Sequence, residues 1–194
     1  MARLPDARRR AELLDRIVDY VTAKGLAELS LRPLAEAVGS SPRVLLYYFG
    51  SKEELIVEVL TQAGARQREL FAKLPRDAES YRVTMRAAWA VVSDPKQEGI
   101  FRLFFETYGL ALQDRKRFAR FLSGVVENWL DYLEKPALRD GYSRRDARAL
   151  ATVMVAGFRG FLLDLCTTRD RKRIDRAVEL WIEALDSLGP SGSP

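Results

Sequence analysis

Residues 40 to 50 read SSPRVLLYYFG, and an arginine and a tyrosine stand four apart within them. On a helix that spacing brings Arg43 and Tyr47 to one face, one turn apart. A guanidinium carries forked donors that match guanine O6 and N7 in the major groove, and a phenol hydroxyl can donate to a phosphate oxygen. Ser41 stands where an N-cap accepts a backbone N–H, and Pro42 suits the first helical position through its fixed φ. The free N–H groups of such a helix start, at the positive end of its dipole, attract phosphate. The chemistry on offer is recognition of a nucleic acid rather than bond-making.

The remainder of the chain offers little with which to make or break bonds. Its 194 residues include no histidine and one cysteine, Cys166. The usual general base, every Ser-His-Asp or Cys-His arrangement and the commonest transition-metal ligand are thereby absent. An intramolecular disulfide or a cysteine zinc cluster is equally impossible. Cys166 lies in an apolar run and is expected to be a buried, inert thiol. No catalytic set, metal or cofactor is expected, and Asp164 is the one carboxylate on an apolar helix that hints otherwise.

The net charge of +5 favours an anionic partner, but residues 1 to 50 hold eight basic and six acidic groups, so charge alone identifies nothing. The start MARLPDARRR has no apolar signal region behind its charges, and no apolar run approaches the roughly 20 residues of a membrane span. A cytoplasmic location is the expectation.

Helical period runs through almost every segment, without strand-like alternation, so the chain reads as all-α. Residues 7 to 24 carry Leu13, Leu14, Ile17, Val18 and Val21 on one stripe and stop at Gly25. Ser30 can cap a short helix ending at Gly39. Ser41 can cap a second short helix ending at Gly50, with Leu45 and Phe49 turned inward. Ser51-Lys52-Glu53-Glu54 forms a capping box that opens a long helix to about Leu74, where Pro75 ends it. Further helices are predicted at roughly 77 to 93, 95 to 111, 115 to 134, 143 to 168 and 171 to 188. Two short helices joined at Val38-Gly39-Ser40-Ser41 behind a longer one make a helix-turn-helix unit over 7–50. A helical domain over 51–188 and a disordered tail over 189–194 complete the expected organisation.

Ser30-Leu31-Arg32-Pro33-Leu34-Ala35, Gly39-Ser40-Ser41, Leu45-Leu46-Tyr47-Tyr48-Phe49 and Ser51-Lys52-Glu53-Glu54-Leu55 resemble, in register and without gaps, the tetracycline-repressor (TetR) family of bacterial regulators. The resemblance is strong over residues 9 to 60; beyond them it is one of length and helix count. It implies a DNA-binding set of Arg32, Ser41, Pro42, Arg43, Leu46, Tyr47 and Lys52. Tyr47 matches the tyrosine that touches a phosphate, Lys52 a lysine on the backbone, and Pro42 and Arg43 occupy variable, base-facing positions. Leu46 stands where the family often has tyrosine and Tyr48 where it often has histidine; Leu46 can make only an apolar contact, such as with a thymine methyl. Arg8-Arg9-Arg10 could serve as a minor-groove arm or simply be a solvated tail.

The same resemblance implies a small apolar or aromatic effector in the C-terminal helices, for which Trp89, Phe105, Tyr108 and Trp129 are the candidates, core filling being the alternative. Arg102 and Glu106, one turn apart, read as a surface ion pair or as weak pocket residues. A homodimer is expected through the last two helices, with Ala156, Gly160, Val178, Trp181 and Leu185 at the interface. Together these make an effector-responsive repressor that binds double-stranded operator DNA. The rivals are a small helical enzyme without histidine chemistry and a protein that binds DNA without sequence preference.

Overall fold

The computed structural model describes residues 6–26, 29–72, 80–187 and 189, all of whose regular elements are helical. They are α1 (Ala7–Lys24), α2 (Leu31–Ala37), α3 (Pro42–Phe49), α4 (Lys52–Ala72), α5 (Tyr81–Val92), a 3-10 turn at Pro95–Gln97, α6 (Glu98–Gln113), α7 (Ala119–Gly124), α8 (Glu127–Arg139), α9 (Arg144–Thr168) and α10 (Arg171–Asp186). The expected disordered tail lies outside the described residues, apart from Gly189.

Packing divides the chain into two units: Met1–Glu69 with Gly99–Phe118, and Leu70–Glu98 with Ala119–Pro194. This differs from the expected boundary at residue 50, because most of α4 and α6 packs with the N-terminal helices. Within the first unit Leu13, Ile17, Val18 and Val21 of α1 are buried together with Leu34 and Ala35 of α2, Leu45 and Phe49 of α3, and Leu55 and Val59 of α4. Arg66 of α4 pairs with Asp15 at 3.0 Å and also with Asp19, which ties α4 along α1.

In the second unit α5 and α10 run in opposite directions along a ladder of polar contacts. Arg82 pairs with Asp186, Arg86 makes a forked pair with Glu179 at 2.8–3.1 Å, and the Trp89 indole N–H donates to Asp175 at 2.8 Å. Arg86 holds the Glu179 carboxyl below its usual range. Beneath the ladder the Trp89 ring lies parallel to Phe158 with centroids 6.1 Å apart. Met85, Met154, Phe158, Ile174 and Ile182 are fully buried around it.

Several expectations need correction. The helix predicted at 115 to 134 is two helices, α7 and α8, and α8 continues through Pro136 to Arg139. Ser30 makes no side-chain cap on α2, whereas Ser41 accepts from the Val44 N–H at 3.3 Å. Cys166 is half-buried rather than buried. Asp164, the suspect carboxylate, accepts a bidentate pair from Arg173 at 2.7 and 3.0 Å, which lowers its pKa and removes it as a base. α9 contains an 18-residue window of mean hydropathy 1.6, long and apolar enough to cross a membrane by composition, with 33% of it buried.

Val178 and Leu185, expected on the dimer face, are 1% and 7% exposed and belong to the unit's own core. Trp181 is half-buried and packs on its own chain, 5.5 Å from the Phe158 ring and 5.4 Å from Phe161. The face of α10 packed on α9 and α5 buries Ile174, Val178, Ile182 and Leu185 together.

A methyl group added at Gly157 would fall 2.3 Å from a Trp181 ring carbon, so the indole lies directly on the α9 backbone. G157A should cost about 1–3 kcal/mol through overpacking, read as a lowered denaturation midpoint in urea. A midpoint equal to that of wild type would show that Trp181 packs elsewhere.

Candidate nucleic-acid interface

The site begins with a turn. The Val38 C-cap of α2 is followed by Gly39 at φ 67°, Ser40 N–H donates to Ala35 O at 2.8 Å, and Gly39 N–H donates to Glu36 O at 3.1 Å. These two bonds form a Schellman closure, which needs the left-handed backbone that glycine adopts without strain. The chain thereby leaves α2 sharply and enters α3 at Ser41, whose backbone is extended at φ −128° and ψ 155°.

Burial then fixes which side of α3 faces out. Leu45 is fully buried and Phe49 is 3% exposed, whereas Tyr47 is 58% and Leu46 39% exposed. Ser41 and Arg43 are exposed on the same helix, and Pro42 is half-buried. The Tyr47 and Tyr48 rings meet edge to face at 5.2 Å. Tyr48, half-buried, is a rim aromatic. At the far end Gly50 N–H donates to Leu46 O, and Ser51 and Glu54 close the predicted capping box: Ser51 N–H to Glu54 Oε2 at 2.8 Å, Glu54 N–H to Ser51 Oγ at 3.1 Å. Lys52 is thus held at the first turn of α4, half-buried, and Arg32 is exposed at the start of α2.

The exposed set therefore comprises a short helix start with outward amides, a forked cation, a phenol and an apolar side chain. Such a surface can hold a phosphate at the helix start and present Arg43 to base edges. Among the described residues no carboxylate pairs with Arg32, Arg43 or Lys52.

The arginine run divides. Arg10 is turned inward: its guanidinium lies 5.0 Å from the Phe49 ring centroid, donates to Tyr48 O at 3.2 Å and pairs with Glu58. Arg8 pairs with Glu12 at 3.0 Å. Arg8 and Arg9 border a cleft of about 530 Å³ that reaches Gly39 and Ser40. Arg16 also lines that cleft, a residue the sequence did not single out because an isolated arginine on α1 carries no local signal.

The other predicted sites fall in separate places. Phe105 and Tyr108 belong to the first unit, beside Phe104, at ring distances of 5.3 Å each. Trp89 and Trp129 belong to the second, at 6.1 and 6.4 Å from Phe158. Arg102 and Glu106 are not paired with each other; both reach the end of α1. On the outer surface of α9 and α10, Ala156 and Gly160 are exposed, with Val153, Leu163 and Leu180 exposed by 45%, 50% and 50%.

Residues 13–59 match the model of the bacterial regulatory proteins, tetR family. The regulator BetI of Rhizobium meliloti is 26% identical over 183 residues, 91% of this chain and 75% of that protein. The nucleoid occlusion factor SlmA of Haemophilus ducreyi is 26% identical over 166 residues, 81% of this chain and 80% of that protein. Among solved structures, a transcriptional regulator from Rhodococcus sp. Rha1 superposes with a TM-score of 0.77 at 15% identity, over 95% of this chain and 99% of that one. The multidrug binding protein EbrR, complexed with imidazole, superposes with a TM-score of 0.66 at 23% identity, over 97% and 98%. The matched segment ends within α4 and contains the whole of α2, the Gly39 turn and α3 with its exposed Arg43 and Tyr47, so over residues 13–59 the chain carries the segment that characterises the bacterial regulatory proteins of the tetR family.

Proposed function

We propose that the chain is a homodimeric repressor that binds a pseudo-palindromic operator and releases it when a small apolar or aromatic effector binds. The observation that carries the DNA-reading part is the division of α3 into a buried edge, Leu45 and Phe49, and an exposed edge, Arg43 and Tyr47. Arg43 reads a base, Tyr47 and Lys52 hold phosphates, Leu46 makes an apolar contact, and Ser41, Pro42 and Arg32 shape and flank the helix start. The similarity to BetI, a transcriptional regulator, supports sequence-specific binding, while that to SlmA, a nucleoid occlusion factor, keeps the broader DNA-binding reading as the second one.

Selection from random duplexes tests this directly. The wild type should return a half-site motif that is retained against excess unrelated DNA at fixed salt. R43A should lose preference at one position per half-site at a cost of about 1–3 kcal/mol, whereas K52A should weaken all sequences alike. An unchanged motif and affinity for R43A would remove Arg43 from the reading face.

For the dimer, the exposed apolar surface on α9 and α10 is the support, since Val153, Ala156, Gly160, Leu163 and Leu180 stand on helix faces that the chain's own core does not cover. Small residues at 156 and 160 permit close helix approach. L180R places a charge on that face without touching the core, so it should convert a dimer to a folded monomer in sedimentation and reduce operator affinity. Sedimentation of L180R as an unchanged dimer would place the interface elsewhere.

For the effector, Trp89 and Trp129 around Phe158, and Phe105 and Tyr108 around Phe104, supply the aromatic surface. The likeness to EbrR, a multidrug binding protein, supports aromatic ligands as the class to screen. A binding aromatic compound should quench tryptophan fluorescence, raise the melting temperature and release operator DNA, the last two linked by reciprocity. W129F should reduce the quench, and Y108A should weaken the ligand only if the α6 pair takes part. Release of DNA by a compound without any rise in melting temperature would refute an effector bound to the folded protein.

A further inference from the structure

We propose that the cleft at the end of α3 binds a small organic cation, an ammonium or guanidinium head on a short apolar stem, and that its occupation strengthens the grip on DNA. The second half rests on the reading of the chain as a DNA-binding regulator; the binding itself does not.

The cleft measures about 500 Å³, lies within the first unit, and is lined by Tyr48, Phe49, Val57, Glu53, Glu54 and Glu58, together with Arg117. Its chemistry is mixed. Two aromatic rings and an isopropyl group can hold an apolar stem, and three carboxylates can accept from N–H donors. The cations at hand are already placed: Arg10 pairs with Glu58, and Arg117 donates to the Glu53 carbonyl at 3.1 Å with its guanidinium 5.6 Å from the Phe118 ring centroid. Three carboxylates thus face two guanidinium groups, which leaves one negative charge over. Glu54 spends Oε2 on the capping box, whereas among the described residues no donor reaches the exposed Glu53 carboxylate.

Arg10 shows that this corner suits a guanidinium. Its group lies 5.0 Å from the Phe49 ring centroid, pairs with Glu58 and donates to Tyr48 O at 3.2 Å, so a ring, a carboxylate and a carbonyl at the negative end of the α3 dipole act on one cation. The cleft offers a second ring and a second carboxylate, the half-buried Tyr48 and Glu53, without a cation of the chain's own between them. Tyr48 meets Tyr47 edge to face at 5.2 Å, and Lys52 directly precedes Glu53 on α4, so the cleft adjoins both side chains assigned to phosphate. A negative charge left over at that place repels the DNA backbone, and a bound cation cancels it. The expected sense is tighter DNA binding, and linkage makes DNA tighten the cation by the same factor. Free monovalent cations act the other way, through screening and counterion competition, so the sign separates a seated cation from ionic strength.

The probes are n-butylguanidinium and its neutral isostere n-butylurea, titrated into full-length protein at fixed ionic strength. With butylguanidinium the amide resonances of Gly50, Glu54 and Val57 should shift saturably, with a dissociation constant on the order of 1 mM, and butylurea should leave them in place. E53Q keeps the size and exposed position of the side chain and should weaken the cation about fivefold, whereas E183Q, an exposed glutamate of α10, should not change it. On a duplex carrying the selected motif, saturating butylguanidinium should raise wild-type affinity about two- to fivefold, and E53Q should show part of that gain with no cation added. Equal shifts with butylurea, or no saturable shift at these amides, would overturn the cation site. A cation that binds there and leaves DNA affinity unchanged would overturn the regulatory half. A wild type that binds no duplex would overturn the DNA-binding reading and the coupling with it, while the amide titration still decides the site.

Discussion

The rotation of one eight-residue helix about its own axis is the constraint on which the remaining structure depends. A helix as short as α3 has no independent stability in water, so its existence and its orientation both come from packing. Leu45 and Phe49 supply that packing from adjacent turns, and their burial turns Arg43 and Tyr47 outward. A shift of a single residue in this register would rotate the helix by about 100° and turn Leu46 toward the core in place of Leu45. The Ser41 cap and the Gly50 stop fix where the helix begins and ends, and Arg10, on Phe49 and on the Tyr48 carbonyl, closes its far end.

Two kinds of contact divide the work of holding this helix. Apolar burial from α1, α2 and α4 makes the unit fold, but it is non-directional and tolerates small sliding movements. Orientation comes from polar contacts made to backbone: Gly39 and Ser40 to α2, Arg102 and Glu106 to the end of α1, and Arg117 to the Glu53 carbonyl at 3.1 Å. The second unit uses the same division, with Trp89, Phe158 and Trp181 filling the interior and the Arg82, Arg86 and Trp89 ladder setting the register of α5 against α10.

What could be read from the sequence was what is determined locally. Ser41, Gly39, Gly50 and the Ser51-Glu54 box act over three or four residues, so the turn, the short helix and its neighbour were legible with their ends. The Arg102 and Glu106 spacing was visible too, but their partners lie some 80 positions away on α1, and an i,i+4 pair of opposite charge looks the same in sequence whichever partners it finds. Asp164 looked isolated in an apolar run because Arg173 returns to it only across the bend at Arg169, a non-glycine residue at φ 57°. The α10 stripe shows the limit of periodicity. It reveals an apolar face but not its owner: Ile174, Val178, Ile182 and Leu185 went to the core, and Leu180 on the neighbouring face was left exposed.

The arrangement of cations around α3, rather than charge excess, marks the reading face. Several arginines are committed to carboxylates: Arg66 to Asp15 and Asp19, Arg86 to Glu179, Arg148 to Glu127 and Glu134, Arg173 to Asp164. Each such pair engages its donors within the fold and presents nearly neutral surface to a phosphate. A net charge of +5 spread over 194 residues would be a weak attractor even if every cation were available. Arg32, Arg43 and Lys52 have no carboxylate partner among the described residues, and all three lie on or beside the Gly39 turn and the two short helices it joins. The local signals that set the ends of α3 therefore also bring three such cations around one exposed helix, beside the geometry that can read DNA.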